Sequence, residues 1–243
     1  DLGKLILKNF DEVSANTFQH LIDASAAIRA RVQAAGGQVR YSAYGYHGTE
    51  ILIEGAYTWQ TYTNYTQGLA KMRLERIAQA AWAQGVKATV YNCPEIRTNS
   101  SDIFAGVELP LVGLLSALKK EGGGAWAQAQ WQACGALLAD GITVDAMLAK
   151  VEAFHTSDVM RPFRNFAAWP MANTAEQADL TIGTSDEVQK MHKDPKALVT
   201  DLLSALVIEA TGPLMFLESS APGGPVLWLN HDVIARLLNR LHP

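Results

Sequence analysis

The segments Val39-Arg-Tyr-Ser-Ala-Tyr-Gly-Tyr-His47 and Glu50-Ile-Leu-Ile-Glu-Gly-Ala-Tyr57, separated by Gly48-Thr49, decide the predicted fold. Both segments are rich in aromatic and β-branched residues, which favour β-strands. A glycine at the first of two central positions is typical of a type II′ turn, whose twist matches paired strands. The sequence therefore predicts a β-hairpin that turns at Gly48-Thr49.

This turn would set the register of the hairpin, with Tyr46 opposite Ile51 and Tyr44 opposite Ile53. The more apolar face, predicted to pack in the core, would carry Tyr44, Tyr46, Ile51, Ile53 and Tyr57. The more polar face would carry Tyr41, Ala43, His47, Glu50, Leu52, Glu54 and Ala56. A three-residue turn would shift the register by one residue and undo this assignment.

The elements around the hairpin predict an α+β domain. Lys4–Lys8 is expected to form a strand, and a helix that starts near Ser14 is expected to end at Gly36-Gly37. Residues 60–84 are expected to form a second helix, followed by a strand over 86–91. The order βαββαβ resembles the ferredoxin-like pattern, and this is a resemblance of fold pattern only.

The composition changes after residue 94, since all nine prolines lie at or after Pro94 and all seven tyrosines at or before Tyr91. The sequence predicts three parts: a ferredoxin-like domain over residues 1–94, a mainly helical region with an irregular connector over 95–179, and a smaller α+β part over 180–243.

The C-terminal part is expected to contain three strands and two helices. The strands are predicted over 180–184, 214–217 and 226–229, and the helices over 196–210 and after Asn230. This order is that of a second, incomplete ferredoxin-like unit, and the alternative is that these strands extend the first sheet.

The composition limits the possible classes of protein. With 49% hydrophobic and 18% charged residues among 243, the chain is expected to be globular. A net charge of -4 gives no bulk attraction to nucleic acid or anionic membranes. No apolar run approaches the ~20 residues that span a bilayer, so no membrane segment is predicted. Cys93 and Cys134, the only cysteines, favour a reducing, cytoplasmic location.

The polar face of the hairpin is the predicted site for chemistry. His47 beside Glu50 and Glu54 is suited to act as a general base, because a carboxylate raises the basicity of the imidazole and orients it. Lys8 or Tyr41 would then stabilise developing negative charge. The simpler interpretation is that lysines and glutamates on adjacent strands form ion pairs on a solvated face.

The sequence contains partial matches to known cofactor-binding and catalytic motifs, but each match lacks a required feature. Gly122-Gly-Gly-Ala-Trp-Ala127 fits G-x-G-x-x-A but follows a predicted helix end and not a strand. Gly183-Thr-Ser185 begins like a nucleophile elbow but lacks the closing glycine, so Ser185 is expected to cap a helix. The histidines have no metal-ligand spacing. The sequence predicts neither a cofactor nor a metal.

Trp126 and Trp131 share a helix with few charges, which indicates a covered surface, either by the rest of the chain or by a partner. The main functional hypothesis is a non-catalytic binding or assembly subunit, with a protein partner or a second copy. Its predicted surface comprises Tyr41, Lys8, Lys87, Tyr91, Trp126 and Trp131. The alternative is a small-molecule enzyme that uses His47, Glu50 and Glu54 or a domain junction. Binding of single-stranded nucleic acid is the weaker alternative, since no RNA-binding motif occurs. The sequence alone does not decide whether the chain is an enzyme.

Overall fold

The structure is a computed structural model that describes residues 2–46, 48–60, 66–98, 105–164 and 174–243. The helices and strands are α1 (Leu2–Asp11), α2 (Thr17–Ala24), α3 (Ala26–Ala34), β1 (Arg40–Gly45), β2 (Thr49–Ile53), β3 (Ala56–Gln60), α4 (Thr66–Ala83), β4 (Lys87–Asn92), α5 (Glu108–Leu111), α6 (Leu114–Glu121), α7 (Ala125–Leu137), α8 (Val144–Thr156), α9 (Ala175–Gln189), α10 (Val199–Ser220), β5 (Val226–Trp228) and α11 (His231–Leu241). A π-helical turn at Glu12–Asn16 joins α1 to α2, and a 3-10 turn covers Arg161–Arg164.

The chain groups into two compact units, each built from separate stretches of sequence. The first contains the described residues within 1–47, 65–93 and 213–228, and the second contains those within 48–64, 94–212 and 229–243. The division into three consecutive parts that the composition suggests stays a prediction.

The first unit contains a parallel three-stranded sheet in the order β1-β4-β5. Parallel strands need a long crossover connection, and α4 lies within the connection from β1 to β4. The core between the sheet and its helices buries mainly apolar side chains, among them Phe18, Ile22, Tyr41, Leu74, Ala78, Ala88 and Val90. The alanines on α4 allow this helix to pack closely on the strands.

The second unit surrounds a β2–β3 hairpin with helices. Ile51 and Ile53 point into its core, and α6, α8 and α11 pack against β2. The side chain of Asn230 joins the start of α11 to the start of β2, because its Oδ1 accepts from Thr49 Oγ1 and from the Glu50 N–H, each at 3.1 Å. Hydrogen bonds of this kind each contribute about 1 kcal/mol and fix the position of the hairpin.

The predicted hairpin at Gly48-Thr49 is wrong. Residues 40–45 pair with β4 in parallel, and the hairpin lies further along, with Ile53 opposite Ala56. Its two-residue turn is Glu54-Gly55, where φ is 50° and 78°. Positive φ at both central residues is the geometry of a type I′ turn. The predicted faces fail with the register, so that Tyr41 is buried and Tyr44 is 40% exposed.

Three predicted strands are also wrong, because the structure places their residues in helices. Lys4–Lys8 lies in α1, residues 180–184 in α9, and residues 214–217 in α10. Neither of the two sheets shows a ferredoxin-like arrangement among the described residues, and the chain is a mostly helical α/β protein with a small parallel sheet. Ser185 lies inside α9 and is buried, so its predicted role as a helix cap is wrong as well.

Other expected elements are confirmed. Much of the helix predicted over 60–84 forms as α4, and the strands predicted over 86–91 and 226–229 form as β4 and β5. The helix predicted after Asn230 is α11, which buries Ile234 and Leu238 as its spacing requires.

Among the described residues, α10 is the one helix whose length and composition would allow it to cross a membrane. Of its most apolar 18-residue window, 44% is buried inside the protein. The core helix of a soluble protein meets the same criterion, so this feature assigns no membrane. The absence of a membrane partner stays a prediction.

Buried ionisable groups in the second unit make its stability depend on pH. Glu95 and Glu108 are only 8% and 6% exposed. Burial, together with the charge of Glu108, raises the pKa of Glu95 to about 7. Burial also lowers the pKa of His155 to about 4, so that its imidazole is neutral near pH 7.

We expect Tyr41→Phe to lower the free energy of unfolding by about 1–2 kcal/mol. The hydroxyl of Tyr41 accepts a hydrogen bond from Arg29 Nη1 at 2.7 Å and lies 2.6 Å from Ser25 Oγ, so its loss leaves both groups without this partner. Chemical denaturation measures the change. Leu21→Ala, at a 53% exposed position, is the control and should change stability by less than about 0.5 kcal/mol. An unchanged Tyr41→Phe variant would contradict the structural role.

We expect Glu95→Gln to stabilise the protein at pH 8 by up to about 3 kcal/mol and to have little effect at pH 4. The carboxyl of Glu95 has a raised pKa in the folded state, so its contribution to stability is present below pH 4.5 and is lost as pH rises through about 7. The glutamine mimics the protonated acid at every pH. Thermal unfolding across this pH range tests the idea, and an equal shift at both ends would disprove it.

Candidate functional site

The three parallel strands of the first unit end together at one edge of the sheet. Gly45 at the end of β1 is in register with Asn92 at the end of β4, and Asn92 with Trp228 at the end of β5. The backbone N–H of Cys93 continues the pairing by donating to the Gly45 carbonyl at 3.0 Å. Open α/β sheets bind ligands beyond the carboxyl ends of their strands. This edge is therefore the candidate site.

Glycine at position 45 allows the strands to approach at this edge. A Cβ added there would lie 2.6 Å from Val90 Cγ1, closer than real contacts permit. Gly45 thus keeps β1 and β4 in close register where the candidate site begins.

Lys71 brings a positive charge to the same edge. It lies on α4, and its Nζ donates a hydrogen bond to the Tyr44 carbonyl at 3.2 Å. The same ammonium group lies 4.8 Å from the centre of the Tyr46 ring, within the range of a cation–π contact. Burial lowers the pKa of Lys71. A partly desolvated lysine beside the strand ends is a candidate functional group, because titratable groups with shifted pKa values are found preferentially at active sites.

The side chain of Tyr44 makes a separate polar contact near this edge of the sheet. Its hydroxyl forms a hydrogen bond with the thiol of Cys93, and burial of this hydroxyl raises the pKa of Tyr44. Burial also raises the pKa of Cys93 to about 11, so the thiol is protonated near neutral pH. The sulfur of Cys93 lies 3.9 Å from the sulfur of Met215. Cys93 is therefore a packed positioning group and not an activated nucleophile.

The arrangement can stabilise negative charge on a bound molecule. The ammonium of Lys71 supplies a cation, while the Tyr44 hydroxyl is engaged with the thiol of Cys93. In a partly desolvated site such a cation stabilises a developing oxyanion more strongly than in water.

The described residues fit only part of a dinucleotide. The strand ends and Lys71 suit a ribose or a carboxamide group, but no glycine-rich turn leads directly from a strand into a helix within the described ranges. Gly122–Gly124 lies between α6 and α7, as its context in the sequence predicted. The described residues also include no group of three or more His, Cys, Asp or Glu side chains that could hold a metal.

The predicted catalytic residues lie in the second unit or outside the described residues. The carboxylate of Glu50 accepts from Asn230 Nδ2 at 3.1 Å. Glu54 lies in the hairpin turn, with its side chain 67% exposed and 3.8 Å from Arg164 Nη1. His47 lies outside the described residues. The acid–base role of this trio stays a prediction, and the structure shows that Asn230 holds one of its carboxylates.

The polar sheet face predicted to join Lys8, Tyr41, Lys87 and Tyr91 to these glutamates does not form. Lys8 is on a helix, and Tyr41 and Tyr91 are 6% and 1% exposed. The Nζ of Lys87 lies 3.8 Å from the centre of the Trp82 ring on the surface of the first unit. These residues were grouped through the wrong hairpin register.

Trp126 and Trp131 are half-buried on α7 and already have partners. Trp126 stacks on His242 with ring centres 4.5 Å apart, and Trp131 lies 4.9 Å from Lys119 Nζ. The role of these two rings in a partner surface stays a prediction.

Sequence reasoning missed Lys71. The signal available was its position one turn into α4, after a strand that ends in Tyr44-Gly45-Tyr46. Lys71 can be predicted to lie near the strand ends only when this strand is assigned to a parallel βαβ crossover and not to a hairpin.

Comparison with known proteins gives a consistent result. The family described as "Enoyl-acyl carrier protein reductase FabMG" matches residues 1–238. The chain is similar to the apo structure of FabMG, a novel type of enoyl-acyl carrier protein reductase, with 73% identity and a TM-score of 0.93. It is also similar to the NADH-bound structure of FabMG, with 66% identity and a TM-score of 0.83. Both matches cover 100% of this chain but only 55% and 58% of the solved chains. None of the curated proteins matches.

These matches overturn the interpretation as a non-catalytic binding or assembly subunit, because the matched family and both solved structures are described as enzymes. The expected role in protein binding as a subunit of a complex is wrong for the same reason. Of the functional alternatives considered, the small-molecule enzyme agrees best with the findings. The chain belongs to the FabMG family of enoyl-acyl carrier protein reductases.

Proposed function

We propose that this chain takes part in the NADH-dependent reduction of an enoyl group carried as a thioester on acyl carrier protein. The chain spans a little over half the length of the solved structures it matches, so the activity of the whole enzyme is inferred from its family. The observation that carries the proposal within this chain is the desolvated Lys71 at the carboxyl edge of the parallel sheet.

The reaction requires stabilisation of negative charge. When bound, NADH supplies a hydride, which adds to the carbon β to the thioester carbonyl. The electron pair of the double bond then moves towards the carbonyl oxygen, and a proton from solvent or a donor completes the product at the α carbon. A cation near that oxygen lowers the barrier, because the charge develops in the transition state.

Lys71 is suited to this role. Its stem is half-buried against α4 and the strand ends, and its hydrogen bond to the Tyr44 carbonyl fixes the direction of the ammonium group. The face of the Tyr46 ring stabilises the cation without neutralising it. The remaining N–H groups of Lys71 are suited to bind the substrate carbonyl or a hydroxyl of the cofactor ribose.

Tyr44 and Cys93 fix the strand ends to which Lys71 binds. The hydroxyl of Tyr44 is held by the thiol of Cys93, and the backbone carbonyl of Tyr44 receives Lys71. The Cys93 backbone in turn is bound to Gly45. The same pair of strand ends thus positions the cation and a protonated phenol.

We expect Lys71→Met in the full-length enzyme to lower kcat/KM for an enoyl thioester by at least about 100-fold. Methionine retains an unbranched side chain that fills the half-buried site but removes the charge, so the protein should remain folded. The oxidation of NADH followed by absorbance measures the rate, and circular dichroism checks the fold. Lys87→Met is the matched control on the same unit, and it should change activity by less than about two-fold. A fully active Lys71→Met enzyme would rule out the proposed role.

We also expect a loss of activity at high pH that depends on Lys71. Since burial lowers the pKa of this lysine, its ammonium form is lost at a lower pH than that of an ordinary lysine. The rate should therefore decline on the alkaline side as Lys71 loses its proton. The pH profiles of kcat/KM for the wild type and for Lys71→Met test this, because the residual activity of the variant should lack the decline. The same alkaline limb in both proteins would assign the titration to another group.

A further inference from the structure

The ammonium group of Lys71 is held by two contacts from one short stretch of chain. Its Nζ donates a hydrogen bond to the Tyr44 carbonyl at 3.2 Å, and it lies 4.8 Å from the centre of the Tyr46 ring. These two contacts come from the residues on either side of Gly45, the last residue of β1. Tyr46 therefore follows directly on the strand end that aligns with β4 at the candidate site.

The hydrogen bond to Tyr44 does not by itself fix the direction of the ammonium group. An ammonium group carries three N–H donors on a flexible stem, so one bond leaves it free to rotate. The face of an aromatic ring attracts a cation, because the quadrupole of the ring places negative charge there. A ring on a second side limits the positions that Nζ of Lys71 can take, and the remaining N–H groups then keep one orientation.

Among the described residues, no carboxylate replaces the ring as a second partner of Lys71. Burial is the single cause of its lowered pKa, so Glu75, one turn further along α4, does not oppose the shift. The carboxylates on the elements that pack against α4 each have another partner, and they are Asp11, Glu12 and Asp23. The basic groups on these elements are Lys4, Lys8, His20, Arg40 and Lys87.

An aromatic ring beside a lysine also has a simpler explanation in packing, since it covers the methylene groups of the stem. Tyr46 is half-buried, as a packing residue would be. The two explanations differ in what they require at this position. Packing requires an apolar side chain of similar size, which leucine supplies. Attraction of the cation requires the face of a ring, which phenylalanine retains and leucine lacks.

We infer that Tyr46 is a positioning residue for the reaction, whose ring face holds the Lys71 ammonium in the direction set by the Tyr44 carbonyl. This inference rests on the proposed function, which gives Lys71 its role. Tyr46 acts through Lys71 and not on the substrate directly, so its effect should disappear when Lys71 is absent.

The test compares Tyr46→Leu with Tyr46→Phe in the full-length enzyme. The pH profile of kcat/KM for an enoyl thioester is followed by the oxidation of NADH. Tyr46→Leu removes the attraction of the ring for the ammonium form, so we expect the alkaline midpoint to move to lower pH by about 0.5–1 unit. We also expect kcat/KM near pH 7 to fall at least about three-fold. Tyr46→Phe keeps the ring face and should retain the midpoint of the wild type to within about 0.2 unit.

A double variant separates positioning from an effect on the fold. Lys71→Met combined with Tyr46→Leu should be as active as Lys71→Met alone, because residues that act as a unit do not have additive effects. Trp82→Leu is the matched control, since it removes the ring that contacts Lys87 on the same unit and should leave the alkaline midpoint unchanged. Thermal unfolding of each variant confirms that the protein is folded.

Three results would each overturn the inference. The first is a Tyr46→Leu enzyme with the alkaline midpoint of the wild type. The second is a Tyr46→Phe enzyme whose midpoint moves as far as that of Tyr46→Leu. The third is a double variant that is clearly less active than Lys71→Met. A shift confined to Tyr46→Leu, together with a double variant that matches Lys71→Met, supports the inference.

A measurement that does not depend on activity distinguishes this inference from the proposed function. The ¹³C chemical shift of the Lys71 side chain, assigned in lysine-labelled enzyme by its absence from Lys71→Met, reports the protonation of this group directly. A midpoint that falls in Tyr46→Leu alone, combined with a fully active Lys71→Met enzyme, would refute the proposed function and support Tyr46 as the residue that holds Lys71. An unchanged midpoint combined with an inactive Lys71→Met enzyme would refute the role of Tyr46 alone.

Discussion

The parallel pairing of Arg40–Gly45 with Lys87–Asn92 is the constraint on which the first unit depends. Parallel strands cannot be joined by a tight turn, so the chain must leave the end of one strand and return to the start of the next. Here the return is made by α4, which packs its alanine-rich side on the strands. Because Lys71 lies near the beginning of this helix, the crossover itself places the ammonium group at the carboxyl edge. The same pairing that builds the core therefore assembles the candidate reaction site.

The sequence was sufficient to predict the elements that are long or clearly bounded. The periodicity and terminal glycine of α4, the β-rich segment that forms β4, and the spacing of Ile234 and Leu238 on α11 all led to correct assignments. Short apolar runs led to wrong assignments, because four or five apolar residues are equally compatible with a buried strand and with a helix. Residues 214–217 follow Pro213, which normally ends a helix, yet α10 continues through it.

The predicted hairpin register is wrong for a specific physical reason. Gly48 is a good residue for a type II′ turn, whereas Glu54 is a poor one for the positive φ that a type I′ turn requires. The structure nevertheless places Glu54 at φ 50°, next to Gly55 at 78°. Its backbone N–H donates to Glu152 Oε1 at 2.8 Å, a tertiary contact that no local pattern reveals. With the turn misplaced, the first strand was assigned to the wrong partner, and the candidate site was built from residues that belong to different units.

The position of Lys71 is best understood through what it contributes to stability. A lysine that loses water gains little from a carbonyl and an aromatic face compared with full hydration, which is why its pKa falls. An apolar side chain of similar length at this position would fold at least as well. Folding does not require a cation at this position, so the ammonium group is better explained by ligand binding. The three strand ends that align beside Lys71 mark the place where such a ligand would lie. The position of Lys71 could not be found from the sequence until the strands had been paired correctly.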